Sequence, residues 1–390
     1  MRRLILGLTV LLLAGGVAAA QMSPQVGTRP VVTKVEEPKP KPKPAKKKTP
    51  PAPKLPPAHE LFGSVDAPAP LEARVIGSYS KGCLAGGVFL PINGPDWQVM
   101  RLSRNRNWGS PQLIDYMERL ASDAHALDGW PGLLVGDLSQ PRGGPMLTGH
   151  TSHQVGLDAD IWLTPMPDRT LSLQEREDME AVSMLKDPFS VDPNVFTDDQ
   201  VNLIRRAASY RQVARIFVHP AIKRALCKRA SSVGKNTSWL AKVRPWWNHH
   251  YHFHVRLGCP PGMAGCANQK PVTGDLGCGE ELDNWDKMLK KSAIWTAEQN
   301  IKPVTKPDTK PAKKKKTVKL RDLPNDCRTV LTAGGVKLLS VDDELPPSAV
   351  KAAASKEAGP GVPILTQAQL KIVRNGGQLS MPMPDRNPVR

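Results

Sequence analysis

The sequence is poor in acidic and in aromatic residues. It has 36 Asp and Glu against 54 Lys and Arg, a formal net charge of +18 over 390 residues, and only 5% of the residues are aromatic. Most of the excess charge lies in two Lys/Pro-rich stretches. Residues 34–54 hold eight lysines against two glutamates, and residues 302–319 hold eight lysines against one aspartate. Nucleic-acid-binding surfaces interleave aromatic with basic residues, so this pattern predicts no nucleic-acid partner. A solvated spacer and a weak contact with the anionic cell envelope both remain open interpretations of these stretches.

Long apolar runs are also lacking. The clearest run, residues 4–13, is too short to cross a bilayer comfortably, and no other run approaches the ~20 residues that a membrane helix needs. Arg2 and Arg3 precede this run and three alanines at 18–20 follow it, which is typical of a signal peptide with a small-residue cleavage site. We therefore expect an exported protein that is not stably inserted in the membrane after cleavage.

Helical and strand patterns alternate between the two lysine-rich stretches. Apolar spacing predicts helices over residues 112–127, 198–210 and 221–229. Short apolar or alternating runs predict strands over residues 88–90, 133–137, 160–163, 213–218 and 252–257. Ser110 and Pro111 supply an N-cap and a first-turn proline for the first of these helices. The pattern predicts one α+β domain with a central antiparallel sheet flanked by helices. The composition of the Lys/Pro-rich arms predicts that they are disordered.

Histidines are concentrated in one short stretch. Four of the nine lie within six residues: His249, His250, His252 and His254. Residues 252–257 alternate, so His252 and His254 point to one face of the predicted strand, and Phe253 and Val255 point to the other. Two imidazoles on one face can bind one metal ion together, or one can bind while the other faces a substrate.

A second group of candidate ligands lies about a hundred residues earlier, where residues 149–160 contain His150, His153 and Asp160. Three protein ligands with one open position are typical of a catalytic zinc site. We predict His153, Asp160 and His254 as zinc ligands and His252 as the general base beside the activated water. The competing interpretation is an adventitious His-rich metal binder or a tag, but a tag would sit at a terminus without flanking strand-forming residues.

These motifs resemble a known group of enzymes. Ser-His-x-x-Gly-x-x-x-Asp at 152–160 and His-x-His at 252–254 resemble the zinc peptidases that cleave peptidoglycan stem peptides, such as the lysostaphin-type endopeptidases and the D-alanyl-D-alanine peptidases. The resemblance is closest to the penicillin-insensitive murein endopeptidase family and covers roughly residues 75–330. Further stretches carry it in order along the chain: residues 77–83, 98–101, 215–218, 220–223 and 243–260.

The resemblance implies roles for individual residues. It implies the same three zinc ligands, the base role of His252 and an active-site role for His249. It also implies a second metal ion with His150 and Asp187 among its ligands. Ser190 stands where that second set has a histidine, so the set is incomplete in this chain and one zinc ion is the prediction.

Residues that flank the histidine stretch are further candidates. Trp246 and Trp247 either wall a substrate cleft or belong to the core. Arg244 and Arg256 are candidates for binding a stem-peptide carboxylate, since guanidinium matches carboxylate geometry. His250, next to His249, is expected to face away from the site.

The six cysteines include no Cys-x-x-Cys pair, which disfavours a zinc–cysteine site. An even number in an exported chain predicts three disulfides, with fifteen possible connectivities. The resemblance implies one of them: Cys83–Cys327, Cys227–Cys278 and Cys259–Cys266.

The domain prediction follows from these points. It comprises a signal peptide at 1–20, a disordered Lys/Pro-rich linker at 21–60, a zinc peptidase domain at 61–300, a second linker at 301–319, a disulfide-tethered segment at 320–334 and a mostly disordered tail at 335–390.

The resemblance implies the function and the substrate. They are those of a periplasmic zinc metallo-endopeptidase that hydrolyses D-alanyl–meso-diaminopimelyl cross-links of peptidoglycan, with the stem peptides as partners. A D,D-carboxypeptidase with the same zinc apparatus and a non-catalytic envelope-binding zinc protein are the alternatives.

Overall fold

The computed structural model describes residues 54–272, 274–301 and 317–338. The described residues do not include the predicted signal peptide, most of both Lys/Pro-rich stretches or nearly all of the tail. The predicted disorder of the linkers and the tail therefore lies outside the described residues. Within the described ranges, no helix is long and apolar enough to cross a membrane.

The described residues alternate between short strands and helices. The strands are β1 Arg74–Ser78, β2 Lys81–Ala85, β3 Val88–Phe89, β4 Trp97–Val99, β5 Trp108–Gly109, β6 Leu133–Val135, β7 Asp158–Trp162, β8 Leu185–Asp187, β9 Ser190–Val191, β10 Val213–Val218, β11 Val243–Pro245 and β12 His252–Leu257. The α-helices are α1 Ala58–Gly63, α2 Pro111–Asp128, α3 Leu173–Asp178, α4 Asp198–Ser209, α5 Pro220–Arg229, α6 Glu280–Ile301 and α7 Asp326–Thr332. The α+β class is therefore confirmed for this part of the chain.

A six-stranded sheet in the order β11-β10-β12-β7-β6-β4 forms the centre of the fold. The inner pairs β10–β12, β12–β7 and β7–β6 are antiparallel, but both outer pairs, β10–β11 and β6–β4, are parallel. The prediction of an antiparallel sheet is therefore wrong at its edges, and the sheet is mixed. The physical reason is the connections: α2 lies between β4 and β6 in the chain, and α5 lies between β10 and β11. A helical crossover returns the chain to the same end of the sheet, which makes the paired strands parallel.

Local sequence explains why the principal elements form where they do. The Ser110 hydroxyl accepts a hydrogen bond from the Leu113 N–H, Pro111 occupies the first turn of α2, and Gly129 ends the helix with φ of 70°. Strands β10 and β12 have the predicted bounds. Phe253 and Val255 of β12 are fully buried in the main core, so the opposite face of this central strand carries His252 and His254.

A second, smaller core joins the two ends of the described chain. It is built from apolar residues of α1, the β1–β2 hairpin and α7, and Cys83 of β2 is bonded to Cys327 of α7. Arg142 donates hydrogen bonds to the carbonyls of Val330, Leu331 and Ala333 at 2.8–2.9 Å, which satisfies the end of α7. The other disulfides are Cys227–Cys278 and Cys259–Cys266. These are the three pairs that the resemblance implies.

Candidate metal centre

The centre of the sheet brings the two histidine-containing stretches together. His254 of β12 lies opposite Asp160 of β7, and Arg256 lies opposite Asp158 in the same antiparallel ladder. Side chains two residues apart on a strand share a face, so Asp158 and Asp160 face His254 and Arg256 across the ladder. Asp160 is the middle residue of β7 and not its first residue, because Asp158 already belongs to the ladder.

His153 reaches this face from the turn before β7. Its backbone has φ of 65°, and its N–H donates to Asp158 Oδ2 at 3.0 Å, which holds this left-handed conformation. Its ring Nδ1 lies 2.6 Å from the Leu138 carbonyl and must donate to it. The other ring nitrogen, Nε2, therefore carries a lone pair, and it points at Asp160 Oδ1 at 3.4 Å.

His254 is oriented in the complementary way. Its Nε2 lies 3.0 Å from Asp158 Oδ1 and donates to it, so the lone pair is on Nδ1. That nitrogen lies 3.3 Å from the same Asp160 Oδ1. A carboxylate that accepts the outer N–H of a ligating histidine fixes both its tautomer and its orientation.

These atoms fit a metal ion. In a tetrahedron with metal–ligand bonds of about 2.0–2.1 Å, ligand atoms lie about 3.3–3.4 Å apart, and both nitrogens stand at 3.3–3.4 Å from Asp160 Oδ1. His153 Nε2 and Asp160 Oδ1 are also buried without a hydrogen-bond partner in the described part of the chain. Such orphaned polar atoms are costly unless something else satisfies them. Two of the predicted ligands, His153 and His254, thus each direct a ring nitrogen at the same oxygen of the third, Asp160.

His150 lies on the other side of the Asp160 carboxylate. Its Nε2 is 3.2 Å from Asp160 Oδ2 and 3.2 Å from Asp137 Oδ2. Ligand atoms of His150, His153 and Asp160 all lie within 4.8 Å of one another, so His150 belongs to the same potential metal-binding group. Burial raises the pKa of Asp137, but His150, Arg106 and Arg104 lower it more, to about 2.

Asp187, the other residue implied for a second metal ion, is exposed in the β8–β9 hairpin. Its carboxylate accepts hydrogen bonds from the Phe189 N–H at 2.7 Å and from the Ser190 hydroxyl. Both oxygens therefore face their own turn. The structure does not bring Asp187 into the group formed by His150, His153 and Asp160.

His252 and His249 line the same centre. His252 Nε2 lies 3.7 Å from Asp160 Oδ1, and both ring nitrogens are buried without a partner among the described residues. Burial lowers the pKa of His252 to about 4, so the ring is neutral at pH 7 and can accept a proton. His249 packs against it with ring centroids 4.9 Å apart, and its Nδ1 lies 2.6 Å from the Trp247 carbonyl.

The charges around the centre are balanced by Asp158 and Asp160. Burial raises the pKa of each carboxyl group, but neighbouring cationic and imidazole groups lower it more. The pKa of Asp158 is held well below its usual range by Arg256 and His254. The pKa of Asp160 is held well below its usual range by His153, His252 and His150. Both carboxylates are therefore ionised at neutral pH and attract a cation to this buried face.

Asp158 is a site residue that sequence reasoning missed. It accepts hydrogen bonds from the His153 backbone and the His254 ring, and Arg256 Nε donates to it at 2.7 Å. Its position two residues before Asp160 on a predicted strand was the available signal, since it places both carboxylates on one face.

The two arginines proposed for a substrate carboxylate are engaged elsewhere. Arg256 is buried and paired with Asp158, and Arg244 is paired with Glu281 at 2.5 Å and Asp275 at 3.5 Å. Two other arginines, Arg101 and Arg104, lie at the cleft beside Asp160, a cavity of about 100 Å³. The cavity is also lined by Gly136, Asp137, His150, Asp160, Trp162, Ala181, Tyr251 and His252. Arg101 donates to the Met179 carbonyl at 2.7 Å, whereas the half-exposed Arg104 contacts Asp137 at 3.1 Å.

Comparison with known proteins identifies one family. The family model described as penicillin-insensitive murein endopeptidase matches residues 75–332, a range that contains every residue of the centre. A Haemophilus influenzae protein of that name is 46% identical over 226 residues, which cover 57% of this chain and 77% of the relative. Relatives of the same name from Klebsiella pneumoniae (41% over 213 residues; 55% and 76%) and Escherichia coli (41% over 222 residues; 57% and 79%) are also similar.

Proposed function

This chain belongs to the penicillin-insensitive murein endopeptidase family, and from that membership we propose that it is a zinc peptidase that hydrolyses D-alanyl–meso-diaminopimelyl cross-links of peptidoglycan. One observation carries the proposal. In a chain of this family, the buried His153 Nε2 and Asp160 Oδ1 face each other at 3.4 Å, and neither has a hydrogen-bond partner in the described residues. Two such atoms are satisfied together by a bound cation.

His153, Asp160 and His254 would hold the zinc ion. When bound, zinc would lower the pKa of a water molecule to about 7 and polarise the scissile carbonyl. We propose one zinc ion, because Asp187 faces its own turn and Ser190 offers no imidazole. His150 then lies between Asp137 Oδ2 and Asp160 Oδ2, 3.2 Å from each, while Asp160 Oδ1 is directed at His153 and His254.

His252 and His249 would act on the water molecule and the substrate. The neutral ring of His252 accepts the proton from the attacking water and later gives it to the leaving amine, the usual sequence for a general base that becomes a general acid. His249 Nδ1 donates to the Trp247 carbonyl, so its Nε2 is free to accept a hydrogen bond from substrate. Burial lowers the pKa of His249 to about 3, which keeps its ring neutral at pH 7.

The proposed location is the periplasm, where cross-linked peptidoglycan lies. The amino-terminal pattern of a signal peptide supports export, and the relatives are named for an activity on murein. The predicted domain limits stay part of this proposal. The folded part includes residues before 61, since Ala58 is fully buried and its N–H donates to the Val318 carbonyl at 2.9 Å.

The test combines product analysis with metal analysis. Protein spanning residues 21–390 would be incubated with cross-linked muropeptide dimers, with and without a chelator. We expect conversion of dimers to monomers, loss of this activity on chelation and recovery with about one equivalent of zinc. Release of free D-alanine from intact dimers would instead assign a carboxypeptidase. Tightly bound zinc without any hydrolysis would assign an envelope-binding protein.

A further inference from the structure

Two large apolar side chains are exposed beside the candidate metal centre. Trp246 and Trp247 lie in the turn between β11 and β12, and they are 51% and 39% exposed. Exposed tryptophans next to a catalytic cleft are typical of surfaces that bind a ligand, because an open indole face is hydrophobic area left in water.

The two rings are held in place by the fold. Both pack against Trp285 of α6, with ring centroids 5.8 and 5.1 Å away, and Trp285 itself is buried. Helix α6 is fixed to the body by ion pairs of Arg244 with Glu281 and of Arg224 with Asp286. The surface formed by Trp246, Trp247 and Trp285, called the tryptophan surface below, is therefore preorganised for binding.

The tryptophan surface is continuous with the centre. Trp246 packs edge-on against Phe217 at 5.8 Å, and Phe217 packs against the His254 ring at 5.4 Å. On the other side of the turn, the Trp247 carbonyl accepts the hydrogen bond from His249. Two ring-to-ring contacts thus separate the exposed indole from a proposed zinc ligand.

We propose that the tryptophan surface binds the amino-sugar backbone to which the cleaved stem peptide is attached. This proposal rests on the proposed function. The D-alanine of the cleaved bond is the fourth residue of its stem, and four extended residues span about 14 Å. The two ring contacts, 5.8 and 5.4 Å, place Trp246 within that reach of His254. The C–H face of a pyranose ring is apolar and stacks on an indole face, while its hydroxyl and acetamido groups stay in water.

Chemistry and position together favour sugar over peptide as the occupant. The cleft that lies against Asp160 is lined by polar and charged side chains, including Arg104, Asp137 and His150, and suits a peptide with carboxylates. The tryptophan surface offers aromatic faces, and the neighbouring Arg244 is already paired with Glu281. Its chemistry therefore complements the uncharged face of a sugar better than an ionised stem.

The test compares two substrates that differ only in the sugar. One is the cross-linked muropeptide dimer with its disaccharides, and the other is the same dimer after an amidase has removed them. We expect the double variant Trp246→Ala, Trp247→Ala to lower kcat/KM about tenfold on the first, the size of two lost stacking contacts. On the second substrate, the double variant should have the same kcat/KM as the unaltered protein. Trp246→Phe, Trp247→Phe should recover most of the loss, since a smaller aromatic face remains.

The matched control is Leu127→Ala, which removes an exposed apolar side chain from the end of α2 and should change neither reaction. Binding is measured separately, by co-sedimentation of zinc-free protein with peptide-free glycan strands, with folding of each variant checked by its unfolding midpoint. Equal losses on both substrates, or no loss on either, would overturn the sugar assignment. Glycan binding that depends on both tryptophans, without hydrolysis of either dimer by the unaltered protein, would support it while refuting the proposed function.

Discussion

Asp158→Asn provides the sharpest test of how the centre is built. The carboxylate of Asp158 accepts hydrogen bonds from the His153 N–H at 3.0 Å, from His254 Nε2 at 3.0 Å and from Arg256 Nε at 2.7 Å. Asparagine keeps the size of the side chain, but it has one acceptor oxygen and no charge. The His254 tautomer that leaves Nδ1 free is then no longer enforced.

Two magnitudes follow from this environment. Arg256 is buried and would lose its charge partner, and breaking a buried ion pair typically costs about 3–5 kcal/mol of unfolding free energy. Removing the carboxylate that orients a ligating histidine typically weakens metal binding by about 10–100-fold. We therefore expect both a less stable protein and a zinc dissociation constant raised within that range.

The assay is zinc competition with a chromophoric chelator, together with denaturant unfolding of the zinc-free protein. Asp128→Asn is the matched control, because the Asp128 carboxylate is also largely buried, with its side chain 6% exposed, and pairs with Arg206 at 2.6 Å in another part of the molecule. It should lose stability with unchanged zinc affinity. If Asp158→Asn behaved in the same way, the inference that Asp158 positions a zinc ligand would be wrong.

Three further predictions concern other residues. His252→Ala should reduce dimer hydrolysis by about 10²–10⁴-fold with zinc content unchanged, as removal of a general base does. His250→Ala is the control and should stay active, because the His250 ring contacts Ser183 instead. Loss of zinc from the His252→Ala variant would contradict the role of His252 as the base. Arg104 pairs with Asp137 through one nitrogen, but its side chain is 46% exposed in the cleft beside Asp160 and can also donate to a substrate carboxylate. Arg104→Ala should therefore raise KM about tenfold for dimers with free carboxylates, the size of one charge-assisted hydrogen bond, and little for amidated ones. Equal effects on both substrates would argue against carboxylate recognition by Arg104. Burial lowers the pKa of Lys223 from 10.5 to about 7. Between pH 7 and 10.5, Lys223 is protonated in the unfolded chain but neutral in the folded protein. The free energy of unfolding therefore rises with pH across this range, by about 3–5 kcal/mol in all. Lys223→Met should lack this rise in denaturant unfolding across pH 7–10.5, and an unchanged pH profile would contradict the burial argument.

The parts of the fold that local sequence determines were predictable. Strands β10 and β12 were predicted with their observed bounds, because alternation and β-branched residues act within a few positions. The parallel outer pairs were not predicted, because strand pairing depends on where a crossover helix returns the chain. Helix α6 was missed although Leu282, Trp285 and Leu289 recur at helical spacing and are buried.

The candidate site divides in the same way. His153, Asp160 and His254 could be chosen from residue type and spacing, since a metal needs these atoms whatever the surroundings. The partners that orient them could not. The roles of Asp158 and Arg256 depend on a ladder between residues almost a hundred positions apart, and the ion pairs that occupy Arg244 depend on the docking of α6. Long-range contacts of this kind leave no local pattern.

The bond between Cys83 and Cys327 has a topological consequence for the second lysine-rich stretch. It closes a covalent ring of the chain that contains both halves of the candidate centre and residues 302–316. The stretch of residues 302–316 consequently links two described parts of the chain covalently, α6 on one side and the segment that contains α7 on the other. A single proteolytic cut within it would open the ring without releasing a fragment, and the two pieces would separate only after reduction.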